Sequence, residues 1–252
     1  MADEQKPKES IVFLGVEMGL FESCFIAGIK EDVVPSKSWK AFEFIVIDDE
    51  SENASSELSA ALARDGVQSI VFQDTSIKPS LLESLVNFYN SGGLVVFFGI
   101  YGEFSAPNVL SNLFSLEEPW NFSAYTSEDY EVTYRGYDYF GFSVKEQSYT
   151  KSNLLSVPIQ DRLMVAKAQP LHHYISEHAG DLNGSPPDEE WNEDVAQAKA
   201  TYLDYCERCY LKCPLALHKN AKGGKLAYIG FVNGEGNVSL LIRSLVTRKE
   251  LP

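Results

Sequence analysis

Short apolar runs alternate with amphipathic stretches through the first hundred residues. Ile11 to Val16 (IVFLGV), Phe44 to Ile47 (FIVI), Val67 to Phe72 (VQSIVF) and Leu94 to Phe98 (LVVFF) are brief and rich in β-branched and aromatic residues. Runs of this length and texture predict strands buried on both faces. Between the second and third, SENASSELSAALARDG has Ala and Leu at helical spacing, Ser and Asn as caps and Asp65-Gly66 as a stop. After the third, Pro79 suits the first turn of a helix whose Leu81, Leu82, Leu85, Val86 and Tyr89 share one face, and Ser91-Gly92-Gly93 ends it. Strands and helices in this alternation predict an α/β fold: a three-layer αβα sandwich around a mainly parallel sheet, of the flavodoxin or Rossmann type.

From Asn108 the pattern changes. A short amphipathic helix, a Trp-containing turn and an alternating run around Tyr130 to Tyr134 predict an elaborated edge with an exposed strand. The Pro-, Gly- and acid-rich DLNGSPPDEEWNE, Asp181 to Glu193, predicts a surface loop. DVAQAKATYLDYCERCYLKC then reads as helical through its first three turns. In CPLALHKNAKGGKLAYIGFVNGEGN a strand, a Gly-containing hairpin and a strand follow one another, and Val238 to Val246 suits a closing helix with Leu240, Leu241 and Leu245 inward. The expectation is one domain over residues 1–252, with a core of about 10–105 and 214–247 and an inserted segment of about 108–213.

Composition narrows the partners. The chain has 36 acidic and 21 basic residues, a formal charge of −15, which opposes nucleic acid and anionic membrane surfaces. No apolar run approaches the roughly 18 residues of a membrane-spanning helix, and the polar start MADEQKPKES is unlike a signal peptide. Four cysteines, Cys24, Cys206, Cys209 and Cys213, are too sparse for a disulfide scaffold. These features predict a cytoplasmic protein with reduced thiols.

Two segments carry a family resemblance. YNSGGLVVFFGIYGEF, with a helix end, a Gly pair, an apolar strand and a Gly turn, resembles the central unit of the class I glutamine amidotransferase-like superfamily, especially its ThuA-like members. The segment PLALHKNAKGGKLAYIGFVNGEGN is similar to the end of those chains. The resemblance implies the α/β sandwich and a site at the carboxyl ends of the strands. The amidotransferases place a nucleophilic Cys on the turn after the central strand, whereas here the turn reads Gly99, Ile100, Tyr101, Gly102, Glu103. The Cys, His, Glu triad therefore does not carry over, and the chain is not expected to be a Cys-dependent amidotransferase. ThuA-like proteins often have a His just beyond the strand, and that is absent too.

Candidate chemistry gathers at the predicted strand ends. Tyr101 and Glu103 follow the fourth strand, and a Glu beside an aromatic ring can bind a hydroxyl-bearing or cationic ligand or act as a base. Glu17 and Met18 follow the first strand, Asp48 and Asp49 the second, and Gln73 and Asp74 the third; the alternative for the acids is helix capping. Asn233, Glu235 and Asn237 lie in the loop before the last helix. The expected site is Glu17, Asp74, Tyr101, Glu103, Asn233 and Glu235 around a small polar metabolite, with Glu103 as base and no cofactor. No metal is expected. The alternative is zinc on Cys206, Cys209, Cys213 and His218, four soft ligands, although spacing at i, i+3 and i+7 equally buries three thiols on one helix face. His172, His173 and His178 cluster without a partner nucleophile. A reading of another class makes the chain a catalytically silent scaffold that meets a protein partner through Trp120, Phe122 and Tyr125, rings that could equally be core. A ThuA-like, sugar-related protein is the third reading.

Overall fold

The computed structural model describes residues 9–15, 42–72, 79–98, 106–140, 147–179, 189–231 and 238–247. Nine strands form one sheet: β1 (Glu9–Leu14), β2 (Phe42–Ile47), β3 (Val67–Phe72), β4 (Leu94–Phe98), β5 (Asn121–Val132), β6 (Gln147–Ser156), β7 (Arg162–Ala166), β8 (Leu215–Lys219) and β9 (Lys225–Ile229). The helices are α1 (Ala54–Leu62), α2 (Pro79–Asn90), α3 (Ala106–Leu113), α4 (Tyr134–Phe140), α5 (Leu171–His178), α6 (Glu189–Leu211) and α7 (Val238–Thr247), with a 3-10 turn at Ile159–Asp161.

The strand order is β2-β1-β3-β4-β9-β8-β7-β5-β6. From β2 to β9 every neighbouring pair is parallel, and from β9 to β6 every pair is antiparallel. The sheet is therefore mixed rather than mainly parallel. Its antiparallel part is the segment expected as an insertion together with β8, and it extends the sheet edge to edge.

Alternation along the strands divides the core in two. Val12, Leu14, Ile70, Phe72, Val95, Phe97 and Tyr228 pack with Leu58 of α1, Leu81, Leu85 and Tyr89 of α2 and Leu110 of α3. Ile11, Phe13, Val71, Val96 and Ile229 join a second cluster with Phe140 of α4, Cys209 of α6 and Leu241, Ile242 and Leu245 of α7. A residue period of two along the strands sends neighbours to opposite sides of the sheet, so helices serve both clusters.

Local chemistry explains the best-defined elements. In α2 the buried Leu81, Leu85 and Tyr89 recur every four residues, which is the helical stripe that faces a sheet. Its end is closed when the Gly92 and Gly93 amides donate to the Tyr89 and Phe88 carbonyls. β4 (LVVFF) is buried at every position, as a strand covered on both faces requires. The β8–β9 hairpin pairs Leu215 with Ile229 through to Lys219 with Lys225. Asn220 holds its turn, with Oδ1 accepting from the Lys222 and Gly224 amides at 2.9 and 2.8 Å.

Two expectations in the second half are corrected. The strand expected around Tyr130 to Tyr134 runs from Asn121 to Val132, and Tyr130 and Val132 are buried rather than exposed. Tyr134 begins α4. The helix expected for three turns continues to Leu211.

Candidate functional site

The residues expected to form the site, Glu17, Asp74, Tyr101, Glu103, Asn233 and Glu235, lie outside the described residues, as do Met18, Gln73, Asn237 and Cys24. The strands that lead into them are described. β1, β3, β4 and β9 are parallel neighbours, with Leu14 beside Phe72, Phe72 beside Phe97, and Phe98 beside Ile229. Their carboxyl ends thus line up along one edge of the sheet.

At that edge Gly15 follows β1 with φ +63°, a conformation that glycine adopts without a Cβ penalty. Its amide donates to the Ile47 carbonyl at 3.1 Å. A Cβ here would stand 3.0 Å from Cγ of Asp49 and 3.1 Å from its Oδ2, so glycine lets the Asp49 carboxyl lie against the β1 backbone. Asp48 makes a local turn, its Oδ1 accepting from the Glu50 amide at 3.0 Å, and does not supply the helix cap expected of a strand-end acid, because the N-cap of α1 is Asn53 and carries no side-chain cap hydrogen bond.

The opposite edge holds a buried polar centre that the sequence did not reveal. Asp161 closes the 3-10 turn and is 2% exposed. Its Oδ2 accepts from Trp120 Nε1 at 2.9 Å and lies 3.2 Å from His218 Nδ1. An Arg135 guanidinium nitrogen lies 3.7 Å from Oδ1. Burial pushes the Arg135 pKa down, and Asp161 opposes that shift. The Trp120 backbone is fixed in turn, with its amide donating to Ser111 Oγ at 2.7 Å. A buried carboxylate is costly unless its oxygens are met by donors or a cation, and three separate chain segments, at Trp120, Arg135 and His218, supply them here.

A cavity of about 420 Å³ also opens on this edge, lined among others by Gln68, Phe88, Gly92, Gly93, Lys225 and Val246. The amides of Gly92, Gly93 and Lys225 donate to Tyr89, Phe88 and Gly93, and that of Gly223 donates to Asn220. With those N–H groups engaged within the chain, its glycine turns do not form the anion cradle that free amides would make.

The zinc alternative scatters. Cys213 lies beyond the end of α6, donates its Sγ–H to the Leu215 carbonyl at 3.1 Å and belongs to one core cluster, while Cys209 belongs to the other. Burial pushes the Cys213 thiol up to about 12 and also raises Cys209. Cys206 is half-buried. Among the described residues no three His, Cys, Asp or Glu side chains gather as a metal would require. His172 and His173 are exposed neighbours on α5, with ring centroids 4.2 Å apart. His178 stacks on Tyr174 at 4.0 Å.

The three rings proposed as interface anchors separate. Trp120 is fully buried and belongs to the core, Phe122 is half-buried and Tyr125 is 47% exposed. No described helix is long and apolar enough to cross a membrane.

With this geometry in view, the likeness to known structures is one of fold. A protein described only as ThuA-like, from Bacteroides uniformis, superposes with a TM-score of 0.52 at 9% identity, over 96% of this chain and 91% of that one. The mmIFT52 N-terminal domain does so with a TM-score of 0.52 at 13% identity, over 97% of this chain and 100% of that one. A second ThuA-like protein, from Parabacteroides merdae, reaches 0.48 at 10% identity, over 97% and 93%. The first of these likenesses gives the chain a ThuA-like fold. No protein-family description matches its sequence, and neither does any curated protein.

Proposed function

We propose that this chain binds a small polar metabolite at the carboxyl edge of its parallel strands, as a class I glutamine amidotransferase-like protein without the nucleophile Cys. The observation that carries the reading is the order β2-β1-β3-β4-β9, which supports a flavodoxin-like reading of the parallel half. From β1 the chain turns one way to β2 and then crosses back to β3, so a topological switch point lies between β1 and β3, where open α/β sheets bind ligands. The sequence leaving Leu14, Phe72, Phe98 and Ile229 reaches Glu17, Asp74, Tyr101 with Glu103, and Asn233 with Glu235 within two to six residues. At about 4.8 Å between strands and at most about 3.6 Å per residue, all six side chains are within reach of one metabolite-sized volume. Glu103 is the base if a reaction occurs there. The Gly15–Asp49 contact adds a carboxyl group beside the switch point.

A thermal-shift screen against sugars, amino acids, nucleotides and divalent metals, run on the parent and on Glu103→Ala, tests the reading. A ligand at one hundred times its dissociation constant adds about 2.7 kcal/mol, which for this size raises Tm by roughly 5–10 °C. A shift lost in the variant supports the site. Silence across the screen refutes metabolite binding and favours the scaffold reading, in which exposed Tyr125 rather than buried Trp120 would meet the partner.

A further inference from the structure

The cavity of about 420 Å³ at the amino edge of the parallel strands has two unlike sides. One is apolar: Leu94 opens β4, Leu245 and Val246 belong to the last turn of α7, and Phe88 of α2 completes the wall. A Cβ at Gly93 would stand 2.3 Å from the Phe88 ring, so glycine lets that ring lie against the backbone here. The other side is the β8–β9 hairpin, which brings Lys225 into the lining. Lys219 is the register partner of Lys225, and residues opposite each other in an antiparallel pair share a face, with Cβ atoms about 4.5–5.5 Å apart. Lys222 is exposed in the turn between them. From Arg208 to Gly234 the sequence has five basic residues and no acid. The stretch is thus cationic within a chain of formal charge −15, most of whose charge is screened beyond about 8–10 Å.

We infer that this cavity binds a small organic carboxylate with an apolar body, the carboxylate meeting the Lys225 ammonium and the body lying against Phe88, Leu245 and Val246. The volume falls within the roughly 300–1,000 Å³ of small-molecule sites. A lysine ammonium has three N–H donors, so Lys225 keeps its contacts within the chain and still meets a ligand. An anion beside Lys225 and Lys219 also offsets the repulsion of like charges placed opposite each other. Because the Gly92, Gly93 and Gly223 amides are engaged within the chain, recognition of charge falls to the lysine rather than to a backbone cradle. The carbonyls that end α2 are taken as well: those of Phe88 and Tyr89 accept from the Gly93 and Gly92 amides, and Ser91 Oγ donates to the Phe88 carbonyl at 2.8 Å. That capping weakens the negative helix end that would repel an anion. The metabolite site proposed above is at the other edge of the sheet, and the two readings stand or fall separately.

The test titrates hexanoate, 1-hexanol and inorganic phosphate at neutral pH into the intact nitrogen-15-labelled protein, and follows by NMR the amides of Gly92, Gly93 and Gly223 on the cavity wall. Hexanoate is expected to shift all three saturably and to bind about tenfold more tightly than hexanol, which lacks the charge. Phosphate, which lacks the apolar body, should move them least. In Lys225→Gln the hexanoate affinity should fall about tenfold, to that of hexanol. Loss of Lys225 can unsettle the hairpin, so a second variant, Gln68→Trp, fills the cavity from an exposed lining position on β3 and should abolish the hexanoate shifts. Amides unmoved by hexanoate, hexanol or phosphate binding as tightly as hexanoate, an unchanged affinity in Lys225→Gln, or shifts that survive Gln68→Trp would each overturn the proposal.

Discussion

The two halves of the sheet solve the same burial problem by different means. The parallel half, β2-β1-β3-β4-β9, is sealed by apolar contact: Phe72 and Phe97 have centroids 4.5 Å apart, and Phe97 stacks toward Tyr228 at 6.2 Å. The antiparallel half, β8-β7-β5-β6, adds a buried polar tie, with Asp161, just ahead of β7, meeting Trp120 before β5, His218 near the end of β8 and Arg135 of α4. Apolar packing is tolerant of exchange at constant volume. A buried carboxylate tolerates no loss of its donors, so this half is the more specifically determined.

The comparison can be broken most strongly at Trp120. Trp120→Ala leaves a large cavity and removes a donor from Asp161, and is expected to cost about 5 kcal/mol, against about 3–4 for Phe97→Ala, which leaves a cavity only. Urea unfolding of both variants checks this, and equal costs would mean that the polar tie adds nothing.

Next comes the seam. Gly230 follows β9, and a Cβ there would stand 1.9 Å from the Asn153 carbonyl oxygen, which accepts from the Tyr228 hydroxyl at 3.1 Å. Gly230→Ala is therefore expected to destabilise by about 3 kcal/mol, lowering Tm by roughly 6–12 °C. A loss under about 1 kcal/mol would show that β6 yields at this contact.

Alkaline titration compares the halves with the smallest expected effect per group. Burial raises Tyr89, on α2, and Tyr130, on β5, each to about 12. Below pH 10 both rings are neutral folded or unfolded. Above it the unfolded ring ionises first, so the fold loses stability as pH rises from 10 toward 12, by roughly 2–3 kcal/mol per ring. Denaturant midpoints across that window should fall, and Tyr89→Phe and Tyr130→Phe should each remove part of the slope. A slope unchanged in Tyr130→Phe alone would locate the alkaline sensitivity in the parallel half.

The same division explains what could be read from the sequence. β3, α2 and β4 were legible at their observed bounds because one burial pattern spans each: β4 is apolar throughout, and α2 repeats its stripe between a Pro and a Gly pair. β6 (QSYTKSNLLS) and β7 (RLMVA) were not, since β6 begins polar and β7 is five residues long without turn signals of its own. β5 was seen only at its end because from Asn121 to Asp129 none of its residues is buried. The Asp161 centre escaped because its partners are 41 and 57 positions away, and no local spacing encodes such a meeting. The available signal was Trp120 itself, whose indole N–H needs an acceptor once buried. At the carboxyl edge Asp48 closes a local turn in place of the helix cap expected as its alternative, while Glu103 and its five companions await the binding screen.

The pairing of β4 with β9 sets the order in which the molecule can be made. Leu94 and Lys225 are register partners, yet a ribosome adding about 5–20 residues per second takes roughly 7–26 seconds to synthesise the chain between them. Throughout that interval β4 has β3 on one side and an open, wholly apolar edge on the other, the kind of edge that recruits foreign strands. Production of this protein should therefore be limited by what guards that edge during translation, and slow synthesis or scarce chaperones would harm yield before they altered the stability of the finished fold.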